Sequence, residues 1–552
     1  MLTAGGQFST LHLETTVDYH HPSTLPLFNT MSTITVQRAK VAQAATLRLA
    51  PQYPSAGSGS RDVSQHTAHD LIKVLDPAAP AKYTPTHSLP AAPPNAAAVA
   101  KKDVLELPHV LDTQIHDLIQ QTIADRGVAE GGDESSFFAA DLSAVYQAVK
   151  MWRDSPMGDR VEIFYAAKCC PTVPVLHLLS LLGCSFDCAS TNEFQQVLAL
   201  PSAPSPDRII FANPCKGPSM IRAAAEAGVE MMTFDNADEL YKVKRAYPNA
   251  KLVLRILTDD SKSLCRLGLK YGAPLETCPG LLALARQLGL NVVGVSFHVG
   301  SGCKDPNQFA DAVWRSKKVF DMAKQAGYDL KLLDIGGGFE RETFAEMSEV
   351  VSDALEVYFP RSSGVRVIAE PGRLLVSSAF TLATNIIARR RALEPAPAQC
   401  EADSDGADVM YYINDGVYGS FNCIMFDHQI VHPYPLTINH ESTTAVPPFP
   451  PPPNVHLAVD LPVQLGYTQT EKASVWGPTC DSLDCVRQVV RLPSGLDVGD
   501  WLGWAEMGAY TMCAASTFNG MNKSPVLWTT GGDSSNARAV RQILDSFKPS
   551  VR

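Results

Sequence analysis

No apolar run in this 552-residue chain approaches the ~20 residues needed to cross a bilayer. Residues 1–30 also lack the basic start and apolar core of a secretory signal, so a soluble, cytoplasmic protein is expected. Basic charge is in deficit. Lys and Arg number 46 against 57 Asp and Glu, a net charge of −11, which argues against nucleic acid or an anionic membrane as the main partner. Zinc-site spacing is missing too. The 13 cysteines include Cys169-Cys170, Cys184 with Cys188, and Cys480 with Cys485, none forming a paired CxxC pattern, so no metal is expected and the thiols read as reduced.

The first hundred residues lack any sustained period of 2 or 3.6. Stretches such as Ser55 to Ser60 and Pro77 to Ala98, rich in Ala, Pro, Ser and Gly, read as a disordered leader. Met31 to Arg61 carries Arg38, Lys40, Arg48 and Arg61 without an acidic residue, the composition of an organelle transit peptide, which makes a plastid or mitochondrion the alternative compartment.

From Val104 onward the chain is patterned. Eight short apolar runs (VEIFYAAK, CSFDCAS, RIIFANP, VEMMTFD, KLVLRIL, VVGVSFH, KLLDIGG and VRVIAEP) are mostly separated by helical stretches, among them Thr172 to Gly183, Met220 to Ala227, Leu281 to Leu288 and Phe309 to Ala326. That alternation predicts an α/β fold with a (β/α)8 barrel, a doubly wound sheet being the alternative. After Arg373 the runs become strand-like and turn-rich, predicting a second, β-rich domain. An acidic stretch, Ala396 to Asp408, and a proline run, Pro447 to Pro453, interrupt it as exposed loops. The expected division is a leader over 1–103, a segment over 104–150 partly joining the β-rich domain, a barrel over 151–375, the β-rich domain over 376–525 and a tail over 526–552.

Several strand ends carry groups with chemical potential. Lys168 closes YAAK; in a partly apolar barrel mouth its pKa is expected to fall, leaving an amine able to join an aldehyde cofactor. The Gly336–Gly338 turn follows a strand directly and can offer backbone N–H groups to a phosphate. Glu370, Pro371, Gly372 and Arg373 place a carboxylate three residues from a guanidinium, although the two could simply pair with each other. His298 lies at another strand end, where it could stack on a ring or be a buried structural histidine. Asp427 and the Cys480-Asp481 pair could hold the ammonium of a cationic substrate.

Together these motifs resemble the eukaryotic ornithine decarboxylases, fold type III pyridoxal phosphate enzymes with an alanine racemase-like barrel. The resemblance runs from about Val104 to Met521 through YAAKCC, FDCAS, ANPCKGPSMI, LRILTDDSKSLCRLGLK, GVSFHVGSGC, LLDIGGGF, IAEPGR, YYINDGVYGSFNCIMFDH, WGPTCDSLD and MGAYTMCAASTFNGM. It implies a C-terminal domain of modified Greek-key or barrel type. Lys168 would be the cofactor lysine, His298 the residue stacked on the cofactor ring, and Glu370 the partner of the ring nitrogen. Asp187, Glu193 and Arg266 would line the cofactor, and Ser301, Gly336, Gly337, Gly338, Arg373 and Tyr510 would hold its phosphate.

The resemblance further implies that Asp427 and Asp481 bind the distal ammonium of L-ornithine, beside Phe426 and Phe518, and that Cys480 returns the proton after carbon dioxide leaves, giving putrescine for polyamine synthesis. It implies a homodimer whose active sites are shared, with Cys480 and Asp481 supplied by the partner and Tyr418 near the contact. Antizyme is a further expected partner, through Ala212 to Asn236. A lysine-using enzyme of the same fold and an inactive, antizyme-inhibitor-like regulator are the alternatives. The chain departs from the family pattern in four places. Phe426 stands where a tyrosine is usual, GGGFER where GGGFPG is common, leucines follow EPGR in place of tyrosines, and the proline run lengthens one loop.

Overall fold

The computed structural model describes residues 105–128, 132–391, 407–444 and 466–547. The leader with its transit-peptide reading, most of the acidic stretch and the proline run Pro447 to Pro453 lie outside the described residues. Eight parallel strands close a barrel in chain order: Val161–Ala166, Ser185–Cys188, Ile209–Phe211, Met231–Phe234, Lys251–Arg255, Asn291–Ser296, Leu332–Asp334 and Arg366–Ala369, the last pairing with the first. Closure excludes the open doubly wound alternative. The strands read as nearly continuous apolar runs because helices bury their outer faces. Each helix ends where its sequence stops supporting it; Pro218–Ala227, for example, is closed by Gly228 at φ +73° in the left-handed region.

The strand period of two explains where chemistry can sit. Phe164, Ile210, Met231, Val253, Leu332 and Ile368 form one apolar cluster inside the barrel. Fully burying such a side chain contributes about 1.5–3 kcal/mol. Two residues further along their strands, on the same inward face, come Arg255, Asp334 and Glu370, all buried. The barrel therefore has an apolar plug below and ionisable groups at its C-terminal mouth, the end where barrel enzymes place their active sites.

The β-rich part is a nine-stranded sheet among the described residues. Its long strand, Phe380–Arg391, pairs antiparallel with Phe137–Asp141, Val409–Ile413 and Trp501–Trp504. Thr470–Trp476 and Cys485–Pro493 extend it. Residues 526–547, read from sequence as part of a tail, are woven into the fold: Val526–Thr529 pairs parallel with Phe137–Asp141. Helix Ser535–Ser546 follows, its first turn capped by the Ser534 hydroxyl accepting from Ala537 N–H at 3.0 Å. It packs on helices Leu142–Arg153 and Val173–Leu181. A four-residue strand between a proline and a glycine turn carries too little period to be told from a loop, and its partner strand lies at the other end of the chain. Among the described residues no helix is long and apolar enough to cross a membrane.

Candidate active site

Lys168 lies in a short 3-10 turn, Ala167–Cys169, just past the first barrel strand, and its ammonium donates to the buried carboxylate of Asp187. Burial opposes the charge on Lys168, but Asp187, Tyr510 and Glu370 outweigh it and hold the amine above its ordinary pKa. This corrects the lowered pKa expected from sequence, because the acid that reverses the sign sits on the next strand. Burial and Glu370 push the Asp187 pKa up as well, to about 7, against the pull of Lys168. Its second oxygen, Oδ1, is buried without a hydrogen-bond partner.

His298 Nδ1 accepts from Gly337 N–H at 3.3 Å, which leaves the ring proton on Nε2, 3.0 Å from Glu370 Oε2. Burial, followed by the Arg255 guanidinium, lowers the His298 pKa, so the ring is neutral in that tautomer. Burial opposes ionisation of Glu370, but His298 and the Lys168 ammonium outweigh it and hold the carboxyl below its ordinary range. Neither Glu370 oxygen completes a hydrogen bond. An ionised, buried carboxylate with unused lone pairs at a barrel mouth fits a protonated ring nitrogen.

The glycine turn permits this close packing. At Gly336, φ +65°, a side-chain carbon would lie 2.1 Å from the Phe297 carbonyl and 2.8 Å from His298 Nδ1. Gly336 N–H donates to Asp334 at 2.9 Å. Ser301 is bridged through its backbone to Cys265, which ties the His298 turn to the loop carrying Arg266. Arg373 pairs with Asp427, lies 3.4 Å from Glu340 and faces the Tyr510 ring at 5.4 Å. The Tyr510 backbone is fixed by its N–H donating to the Cys169 carbonyl at 3.0 Å, and Pro371 accepts from Ala166 N–H at 3.1 Å. An aromatic-backed guanidinium beside a glycine turn suits a phosphate.

Two expected lining residues take other contacts. Glu193 accepts from Ala189 N–H at 2.6 Å while the Ser190 hydroxyl accepts from Glu193 N–H, which caps the start of helix Thr191–Leu198. Arg266 is half-exposed and pairs with Asp260 at 3.3 Å. The arginine placed among the acids is Arg255, which the sequence reading missed; burial lowers its pKa against Glu370, Asp235, Asp334 and Asp187 around it. Asp334 was missed as well. The available signal was their spacing, two residues beyond inward-facing Val253 and Leu332.

Asp427 ends helix Asn422–Asp427 and also receives the Cys265 thiol at 3.6 Å. The adjoining Phe426 is exposed. Tyr418, Asp481 and Phe518 form a separate group: the Tyr418 hydroxyl donates to Asp481, and its ring stacks on Phe518 at 4.3 Å. Buried Asp484 anchors this group by accepting from Val417 N–H at 2.8 Å and from the Thr479 hydroxyl at 2.7 Å. Cys480 is exposed on the same loop. Among the described residues, no hydrogen bond or ring contact of this group reaches Lys168, Glu370 or Asp427.

Residues 142–377 match the family model for the pyridoxal binding domain of pyridoxal-dependent decarboxylases. Ornithine decarboxylase of Schizosaccharomyces pombe is 48% identical over 399 residues, covering 72% of this chain and 84% of that protein. Antizyme inhibitor 2 of Xenopus laevis is 47% identical over 415 residues, 74% of this chain and 84% of that protein. Among solved structures, the arginine decarboxylase of Paramecium bursaria Chlorella virus bound to agmatine superposes with a TM-score of 0.64 at 30% identity, covering 75% of this chain and 100% of that one. With its closed barrel, its lysine and acids at the barrel mouth and its glycine turn, the chain belongs to the pyridoxal-phosphate-dependent ornithine decarboxylase family.

Proposed function

We propose that this protein decarboxylates L-ornithine to putrescine and carbon dioxide. When bound, pyridoxal phosphate supplies the electron-accepting ring for the broken bond between Cα and the carboxylate. Lys168 would hold that cofactor covalently, its ammonium oriented beforehand by the buried Asp187 carboxylate. Glu370 would keep the ring nitrogen protonated, neutral His298 would offer its flat face to the ring, and Arg373 with the Gly336–Gly338 turn and Tyr510 would hold the phosphate. The observation that carries the reading is the juxtaposition of Lys168, Asp187, His298 and an ionised Glu370 with unused oxygens. An inactive regulator like the antizyme inhibitor would have no use for this set, and Lys168, Asp187, Arg266, Arg373, Tyr418, Asp427 and Asp481 are all present.

Asp427 and Asp481 would bind the distal ammonium, and the Cys480 thiol would be the group that supplies a proton at Cα. Their separation within one chain supports a homodimer in which the partner supplies Cys480 and Asp481. Exposed apolar side chains beside the two groups support it further, with Phe426 73%, Ile430 65% and Leu483 60% exposed. Antizyme is a candidate partner through helix Pro218–Ala227 and strand Met231–Phe234. The twelve described cysteines are all unpaired, in keeping with a reducing compartment such as the cytoplasm.

Lysine is one methylene longer than ornithine, a difference worth only ~1–3 kcal/mol in a pocket. We expect kcat/KM for ornithine to exceed that for lysine by roughly tenfold or more. A tenfold preference for lysine on purified protein would overturn the substrate assignment.

A further inference from the structure

Glu340 is a residue to which the chemistry above gives no task. It lies two positions past the Gly336–Gly338 turn, in the GGGFER segment where the resembled family commonly has Pro-Gly. Its carboxylate is 3.4 Å from Arg373 Nε, and both side chains are largely buried, Glu340 to 24% and Arg373 to 16% exposure. The contact is an ion pair without a completed hydrogen bond, since Arg373 Nε is buried and has no hydrogen-bond partner. Glu342 and Lys304 face Glu340 with opposite charges. Arg373 therefore divides its charge between Glu340 and Asp427, with Gln429 a weaker neighbour at 3.5 Å.

A phosphate dianion arriving at Arg373 must share that guanidinium with a fixed carboxylate in a partly desolvated mouth, where like-charge repulsion is poorly screened. Two opposing effects act. Glu340 orients the guanidinium, which favours an anion, and it contributes negative charge, which disfavours one. The loose geometry decides the sign: without an aligned hydrogen bond the orienting effect is small, and repulsion prevails.

We propose that Glu340 is a positioning residue that competes with the cofactor phosphate for Arg373 and thereby weakens cofactor retention in this chain. The proposal rests on the reading of Arg373 as the phosphate-binding arginine. It is tested on protein stripped of cofactor and titrated with pyridoxal phosphate, and separately with phosphate-free pyridoxal, by the visible absorbance of the bound form. Glu340→Gln is expected to tighten pyridoxal phosphate roughly tenfold and to slow its release, leaving pyridoxal affinity unchanged. Unchanged or weaker pyridoxal phosphate binding by Glu340→Gln would overturn the proposal, as would an equal gain for pyridoxal. Arg373→Met separates the two readings: if it binds pyridoxal phosphate as tightly as the unmodified protein, the phosphate assignment itself fails. If Arg373→Met weakens binding while Glu340→Gln changes nothing, only the competition fails.

Discussion

Replacing Lys168 by alanine is expected to lower ornithine turnover by more than roughly a thousandfold, because in the proposed reading this residue is the one that bonds the cofactor. The amine faces Asp187 directly, so the loss is chemical as well as adhesive. The visible absorbance of lysine-bound cofactor should disappear with the activity. Folding should survive, since Lys168 lies on a 3-10 turn at the open mouth and not in the apolar plug. Retention of both the absorbance and turnover in Lys168→Ala would eliminate the assignment.

Asp481→Ala should separate substrate from cofactor. The carboxylate is held toward solvent by the Tyr418 hydroxyl and by Leu483 N–H at 3.0 Å, and it touches no residue of the Lys168 group among the described residues. The Leu483 backbone N–H, followed by Tyr418, lowers its pKa, so it is fully charged at neutral pH and ready for an ammonium. Its loss should reduce kcat/KM for ornithine by roughly a hundredfold while cofactor affinity stays within about twofold. Equal loss of both would indicate damage to folding or assembly instead.

Much of this was legible in the sequence, for identifiable reasons. The eight barrel strands stand out because burial on both faces makes parallel strands continuous apolar runs, and most of their helices separate them cleanly. Lys168, His298, Glu370 and the Gly336–Gly338 turn were visible because each sits at a strand end in a short motif. Arg255 and Asp334 were not, since a charged residue closing an apolar strand reads locally as the start of a loop. Their burial becomes evident only when the inward-facing rows from several strands are aligned. The pKa of Lys168 was misjudged because the decisive carboxylate is 19 residues away. Strand Val526–Thr529 was hidden by distance: the neighbouring hydroxyls of Ser136 and Ser524 meet at 2.6 Å across 388 residues. Local propensity carries no record of such a pairing.

In the proposed homodimer, one site needs the Lys168 group of one chain and the Asp481 group of the other. Lys168→Ala and Asp481→Ala proteins, each retaining about a hundredth of the unmodified kcat/KM or less alone, can be mixed in equal amounts under conditions that let subunits exchange. Random pairing makes half the dimers mixed, and each mixed dimer holds one site with both groups intact, so activity should return to about a quarter of the unmodified level. A mixture in which the subunits have exchanged, yet whose activity stays at the level of its two parents, would contradict a site shared between chains.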